Sequence, residues 1–163
     1  MSVFCAAGTE TGSVDMSTIV LDGTRLSIED AWKIASGTAV VAIDPSAAKL
    51  MEDSHKLVMI AVAQGQSVYG LTVGVGFNRD KKLVAADGTL SPDVLEASRA
   101  FNYNILRSHC AGVGEMMPVE LVRLSMVIRL NTLLAGKSGA QVKVAELYRD
   151  MLNKNVTPHC CPN

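Results

Sequence analysis

The sequence predicts a mainly α-helical domain with a small β element near its N-terminus. Three observations carry that reading. Capped segments of helical length fill most of the chain from residue 27 onward. Apolar runs of strand-like composition, "TIVL" at 18–21 and "AVVAI" at 39–43, occur only near the start. Aromatic residues are just 4% of the 163 residues and eight are Met, so the core must be built from Leu, Val, Ile, Ala and Met.

Residues 1–17 are small and polar, with Gly8 and Gly12, and read as a flexible leader to a domain spanning 18–163. In that domain "TIVL" and "TRL" flank Asp22-Gly23, which predicts a hairpin. Ser27 caps a helix, with Asp30 as an acidic variant of the capping box, and Gly37 stops it. After the short strand "AVVAI", Asp44 caps the next helix with Pro45 in its first position, and Gly65 ends it. "RDKKLVAADGTLSP", 79–92, is a charged, turn-rich loop. Ser91-Pro92 opens a helix that Gly112 stops, and Pro118 opens another. That helix, "PVELVRLSMVIRLNTLLAG", is apolar on every face and reads as buried, interrupted by Glu120, Arg123, Ser125, Arg129 and Asn131. A last helix covers about 139–153.

Composition excludes several classes. A formal net charge of −1 and a pI near 6.3 argue against nucleic acid, which needs clustered Lys and Arg. No basic, apolar leader marks a secretory signal, and no uncharged stretch is long enough to cross a bilayer, so a cytoplasmic protein is expected. Cys5, Cys110, Cys160 and Cys161 have no framework spacing and read as free thiols. "HCC" at 159–161 has no second ligand pair, so no metal site is expected. A hydrophobic share of 48% with mean hydropathy +0.25 is high for a small free-standing domain, and implies surface that something else covers.

"SVYGLTVGVGF", residues 67–77, fits none of these elements. It has neither the Asn or Asp of a tight hairpin nor the Gly-Lys-Ser/Thr end of a phosphate loop. Read alone, Tyr69 is a loop tyrosine anchored by its hydroxyl, and His109 a histidine at a helix end where the dipole favours a cation. Asn104, Arg129 and Asn131 each need a buried partner on otherwise apolar helices.

Three segments in fixed order resemble the aromatic amino-acid ammonia-lyase family. "VYGLTVGVGF" resembles its Tyr-Gly-x-x-Thr/Val-Gly-x-Gly loop. "NILRSHCAGVGE" resembles its Asn-Leu-x-x-Ser-His-x-Ala-Gly-Val-Gly segment, and "MVIRLNTLLAGKSGAQ" its Arg-x-Asn-x-Leu-x-x-Gly-x-Ser-Gly helix end. The resemblance implies the N-terminal part of the fumarase/aspartase-like ammonia-lyase fold. It implies that Tyr69 is the base taking the substrate β-proton. A phenol ordinarily titrates near pH ~10, so the complete site must favour its anion. Gly70, Gly74 and Gly76 would allow close approach of main chain to substrate and movement of the loop as a lid. The pair Ser108-His109 matches histidine-specific members, where tyrosine-specific ones carry His-Leu and phenylalanine-specific ones Phe-Leu. Elimination of ammonia from L-histidine to give urocanate is therefore expected. A lyase or aminomutase acting on tyrosine or phenylalanine is the alternative, as is a non-catalytic assembly module. Asn104, Arg129 and Asn131 take a mainly structural role by the same resemblance.

One element departs from the family pattern. The family's electrophile, 4-methylideneimidazole-5-one, forms when the backbone of an internal Ala-Ser-Gly cyclises and loses water. Here "IASG" at 34–37 ends a helix ahead of the tyrosine loop, the wrong order, while "VTPHCCPN" resembles the lead-in to the proper tripeptide. The expectation is an N-terminal portion, with the electrophile in the remaining C-terminal part and none in this chain. Its partners would then be that C-terminal part and sister subunits of a homotetramer, and alone it would be inactive.

Overall fold

The structure is a computed structural model that describes residues 16–70, 73, 92–110 and 112–161. Strand β1 (Ser17–Leu21), helix α1 (Ile28–Ala35) and strand β2 (Ala39–Ile43) are followed by helices α2 (Pro45–Ala63), α3 (Pro92–His109), α4 (Val119–Leu134) and α5 (Val142–Asn153). The mainly helical fold with a small β element is as the sequence predicts; the β element has a different topology.

No hairpin forms at Asp22-Gly23. β1 instead pairs in parallel with β2, in register from Ser17 opposite Ala39 to Leu21 opposite Ile43, with α1 as the crossover. The reason is local. The Asp22 carboxylate accepts hydrogen bonds from the Thr24 N–H at 2.8 Å, the Thr24 hydroxyl at 2.9 Å and the Arg25 N–H at 3.1 Å. This side-chain turn holds "TRL" off the strand and feeds it into α1. The same bonds, that from Thr24 foremost, hold the Asp22 carboxyl below its ordinary pKa.

The caps follow the sequence closely. Ser27 Oγ accepts from the Asp30 N–H at 3.0 Å and donates to the Asp30 carboxylate at 2.8 Å. At the start of α2 the Asp44 carboxylate accepts from the N–H groups of Ser46 and Ala47, and Pro45 is the first helical residue. Two boundaries shift. Pro118 is the N-cap of α4, with ψ 137°, so the helix proper begins at Val119. Residues 137–141 are not helical, so α5 begins at Val142.

α4 is the centre of the domain, packed against α1, α2 and α5. Its Val127, Leu130 and Leu134 are fully buried, alongside Leu21, Ile34, Met51 and Leu152. The opposite side of α4 is uncovered: Leu121 and Ile128 are exposed, as is Arg129. The expectation of a helix buried all round therefore holds for one face only. Among the described residues α3 contributes none to the core, and its Asn104, Tyr103 and Leu106 are exposed. The buried partners expected for Asn104 and Arg129 are thus not needed, because both side chains face solvent. Asn131 does have one, accepting the Gly23 N–H at 3.1 Å.

Polar side chains pin the layers together. Asn153 acts as a substitute strand at the free edge of β2: its amide oxygen accepts the Val41 N–H and its nitrogen donates to the Val41 carbonyl, both at 2.9 Å. His55 on α2 places Nδ1 2.8 Å from the Gly139 carbonyl oxygen. Arg123 is buried, and donates from Nε to the Ala35 carbonyl at 2.6 Å and from Nη2 to the carbonyls of Ile34 and Leu152 at 3.0 Å each. These three acceptors lie in the last turns of α1 and α5, where carbonyls lack helical partners.

The joint between β1 and α4 gives a test. Gly23 has φ +80°, and a Cβ there would stand 2.4 Å from Ala135 N and from the Leu134 carbonyl carbon. At Gly37, with φ +76°, the Cβ would meet only Asn155 Oδ1 at 3.4 Å. Gly37→Ala should cost only the left-handed backbone penalty, about 1–2 kcal/mol. Gly23→Ala adds a backbone clash and should cost at least ~2 kcal/mol more in denaturant unfolding. Equal losses at the two sites would contradict the close approach.

Candidate functional site

The segment after α2 turns back on itself. Gly65, two residues past the helix, has φ +69° and donates its N–H to the Val62 carbonyl at 2.9 Å. Three residues on, the Val73 N–H bonds the Val68 carbonyl at 3.3 Å and the Gly70 N–H bonds the Val73 carbonyl at 3.1 Å, so Tyr69 and Val73 form an isolated bridge. Gly70 has φ +74°, in the left-handed region that glycine adopts without penalty. Tyr69 sits on the outside of this turn, 64% exposed. Gly74 and Gly76 lie outside the described residues.

Ser108 and His109 are the last two residues of α3. His109 Nδ1 is 2.8 Å from the Ile105 carbonyl oxygen, one turn back, and 3.0 Å from Ser108 Oγ. Ser108 Oγ donates to the same carbonyl at 3.0 Å. A carbonyl can only accept, so this contact assigns the proton of a neutral ring to Nδ1 and leaves Nε2 as the acceptor. Nε2 has no partner among the described residues, and the side chain is exposed. The pair thus presents one imidazole nitrogen in fixed orientation, able to accept a hydrogen bond from an N–H of a ligand.

Tyr69 and the Ser108–His109 pair stand on separate elements outside the packed core, one following α2 and the other closing α3. Neither His55 nor His159 joins them: the first is tied to Gly139, and the second lies in the segment after α5. Among the described residues no three His, Cys, Asp or Glu side chains converge as metal ligands, and no helix is long and apolar enough to cross a membrane.

Ala35-Ser36-Gly37 does not fit a backbone that must cyclise. The Ala35 carbonyl accepts from buried Arg123, the Ser36 N–H donates to Trp32 and the Gly37 N–H to Ile34, as the closing turn of α1. Two polar ties escaped the sequence reading, buried Arg123 between helix ends and exposed Asn153 as the strand-edge cap. The spacing of Arg123 with Met126, Val127, Leu130 and Leu134 on one helical stripe was the signal that could have found the first.

Comparison with known proteins places the chain in a family. The family model of the aromatic amino acid lyases matches residues 26–162. Histidine ammonia-lyase of Chloroflexus aurantiacus is 36% identical over 143 residues, covering 86% of this chain and 25% of the relative. Among solved structures, the ergothioneine-degrading ergothionase of Treponema denticola superposes with a TM-score of 0.78 at 32% identity, over 89% of this chain and 27% of its own. Tyrosine aminomutase of Streptomyces globisporus gives 0.75 at 25% identity, over 88% of this chain and 26% of its own. The chain spans about a quarter of the length of the relatives it matches. With the family model matched over residues 26–162, this chain belongs to the aromatic amino acid lyase family.

Proposed function

We propose that this chain is the N-terminal part of an ammonia-lyase that acts on L-histidine, releasing ammonia and urocanate. The observation that carries the substrate assignment is the imidazole of His109, held at Nδ1 by the Ile105 carbonyl and presenting Nε2. A substrate imidazole offers an N–H donor to that nitrogen; a phenyl ring offers none, and loses the contact. The names of the curated relatives point the same way.

In this reading Tyr69 takes the β-proton through its phenolate oxygen, the electrons of that C–H bond form the carbon–carbon double bond, and the amino group departs. Tyr69 is exposed beside Gly70 rather than held in the core, so a partner surface can close over the phenol. Ser108 and His109 bind and orient the side chain of the substrate. Because Ala35-Ser36-Gly37 is committed to the end of α1, the electrophile 4-methylideneimidazole-5-one is assigned to sequence outside this chain, and no step is assigned to these three residues. The complete enzyme works as a homotetramer in the cytoplasm, with the uncovered side of α4 meeting the remainder of the fold.

A second reading, an aminomutase acting on tyrosine, is favoured by the likeness to the Streptomyces globisporus enzyme. Product analysis separates the two, since an aminomutase retains the nitrogen in its product.

Two substitutions in the full-length enzyme test the assignment. Tyr69→Phe should lower kcat by about 10²–10⁴-fold while KM changes little, as for loss of a general base. Near-normal kcat would remove Tyr69 from the mechanism. The double change Ser108→Phe with His109→Leu should lower the ratio of kcat/KM for histidine over phenylalanine by roughly 10²-fold. An unmoved ratio would place substrate selection elsewhere.

A further inference from the structure

A cleft of about 340 Å³ opens where the end of α1 meets the start of α4 and the segment after α5, with Gly37, Glu120, Arg123, Asn155 and Thr157 in its walls. Two buried polar atoms of those walls have no hydrogen-bond partner, Arg123 Nη1 and Thr157 Oγ1. Arg123 is only 4% exposed, and its Nε and Nη2 are engaged by three carbonyls. Both N–H groups of Nη1 are therefore unused donors, a condition that folded proteins rarely leave uncorrected. Arg123 also has no carboxylate partner among the described residues.

The start of α4 adds to the same demand. Pro118 provides no side-chain cap, so the N–H groups of Val119 and Glu120 have no acceptor from within the helix. The positive end of the helix dipole thus opens on the cleft that holds the guanidinium. Helical side chains lean toward the N-terminus of their helix, which brings the Arg123 side chain back over this first turn. Unused donors, a dipole end and an unpaired cation all call for an acceptor with negative charge. Burial, which draws the guanidinium below the ordinary arginine pKa, is relieved by such a counterion.

We propose that this cleft binds a small oxyanion, phosphate or carboxylate in chemistry, between Arg123 Nη1, Thr157 Oγ1 and the first N–H groups of α4. The site lies on the packed core, and its occupancy does not depend on the substrate assigned to the Ser108–His109 pair. The exposed Glu120 carboxylate at the cleft wall opposes the anion and keeps its affinity modest.

The test is titration of the full chain with inorganic phosphate, and separately with acetate, at ionic strength held constant with chloride. The amide resonances of Val119 and Glu120 report binding. Saturable shifts with at least one of the two anions are expected, and the tighter one names the ligand class. Thr157→Val should weaken binding about tenfold, the usual effect of losing a hydrogen bond to a charged group. Glu120→Gln should strengthen it roughly threefold by removing the opposing charge. Neither variant removes a bond that holds the fold, so both test the site without the loss of stability that an Arg123 substitution brings. Absence of saturation with both anions, or saturation that neither variant alters, would overturn the proposal.

Discussion

One buried cation organises this domain. Arg123 leaves the second turn of α4 and donates to carbonyls at the ends of two other helices, Ile34 and Ala35 of α1 and Leu152 of α5. Each helix C-terminus carries about half a negative charge, so the two ends lower the cost of burying the guanidinium without supplying a full counterion. A lysine could not replace it well, because a single ammonium lacks the planar fork that reaches three acceptors on two elements. The tie fixes where α1 stops and α5 ends relative to α4. With α1 fixed, the crossover from β1 to β2 is fixed, and Asn153 at the end of α5 reaches the edge of β2.

What this core supports is a division of labour. Residues that pack lie in β1, β2, α1, α2, α4 and α5, while Tyr69 and the Ser108–His109 pair stand on the segments between α2 and α4. In the proposed reading, residues at the end of α3 can change without disturbing the core. The uncovered side of α4, with exposed Leu121 and Ile128, belongs to the same plan in a chain that spans about a quarter of its relatives' length.

Local chemistry made much of the fold legible. Ser27, Gly37, Asp44 and Pro45 each act through bonds within a few residues, and the structure has them where the sequence places them. Asp22-Gly23 misled because a hairpin signal does not reveal whether a strand follows; "TRL" was drawn into a side-chain turn and "AVVAI" took the pairing. Gly23 is needed for a different reason, the approach of α4. Arg123 and Arg129 look alike in a list of interruptions to an apolar helix, yet one faces the core and the other solvent. Only their phase along the helix separates them. The roles proposed for Tyr69 and His109 rest on motif resemblance, since neither carries a local signal that distinguishes chemistry from packing.

The most direct measurement compares the unfolding free energies of Arg123→Met and Arg129→Met in denaturant. Met keeps apolar bulk at both positions and removes the charge. Loss of Arg123 leaves the Ala35 carbonyl without its donor and removes the tie from the carbonyls of Ile34 and Leu152, which keep the N–H groups of Gly37 and Asn155, and should cost about 2–4 kcal/mol. Loss of exposed Arg129 should stay within about 0.5 kcal/mol. If Arg123→Met is no more destabilising than Arg129→Met, the buried cation does not hold the helix ends together.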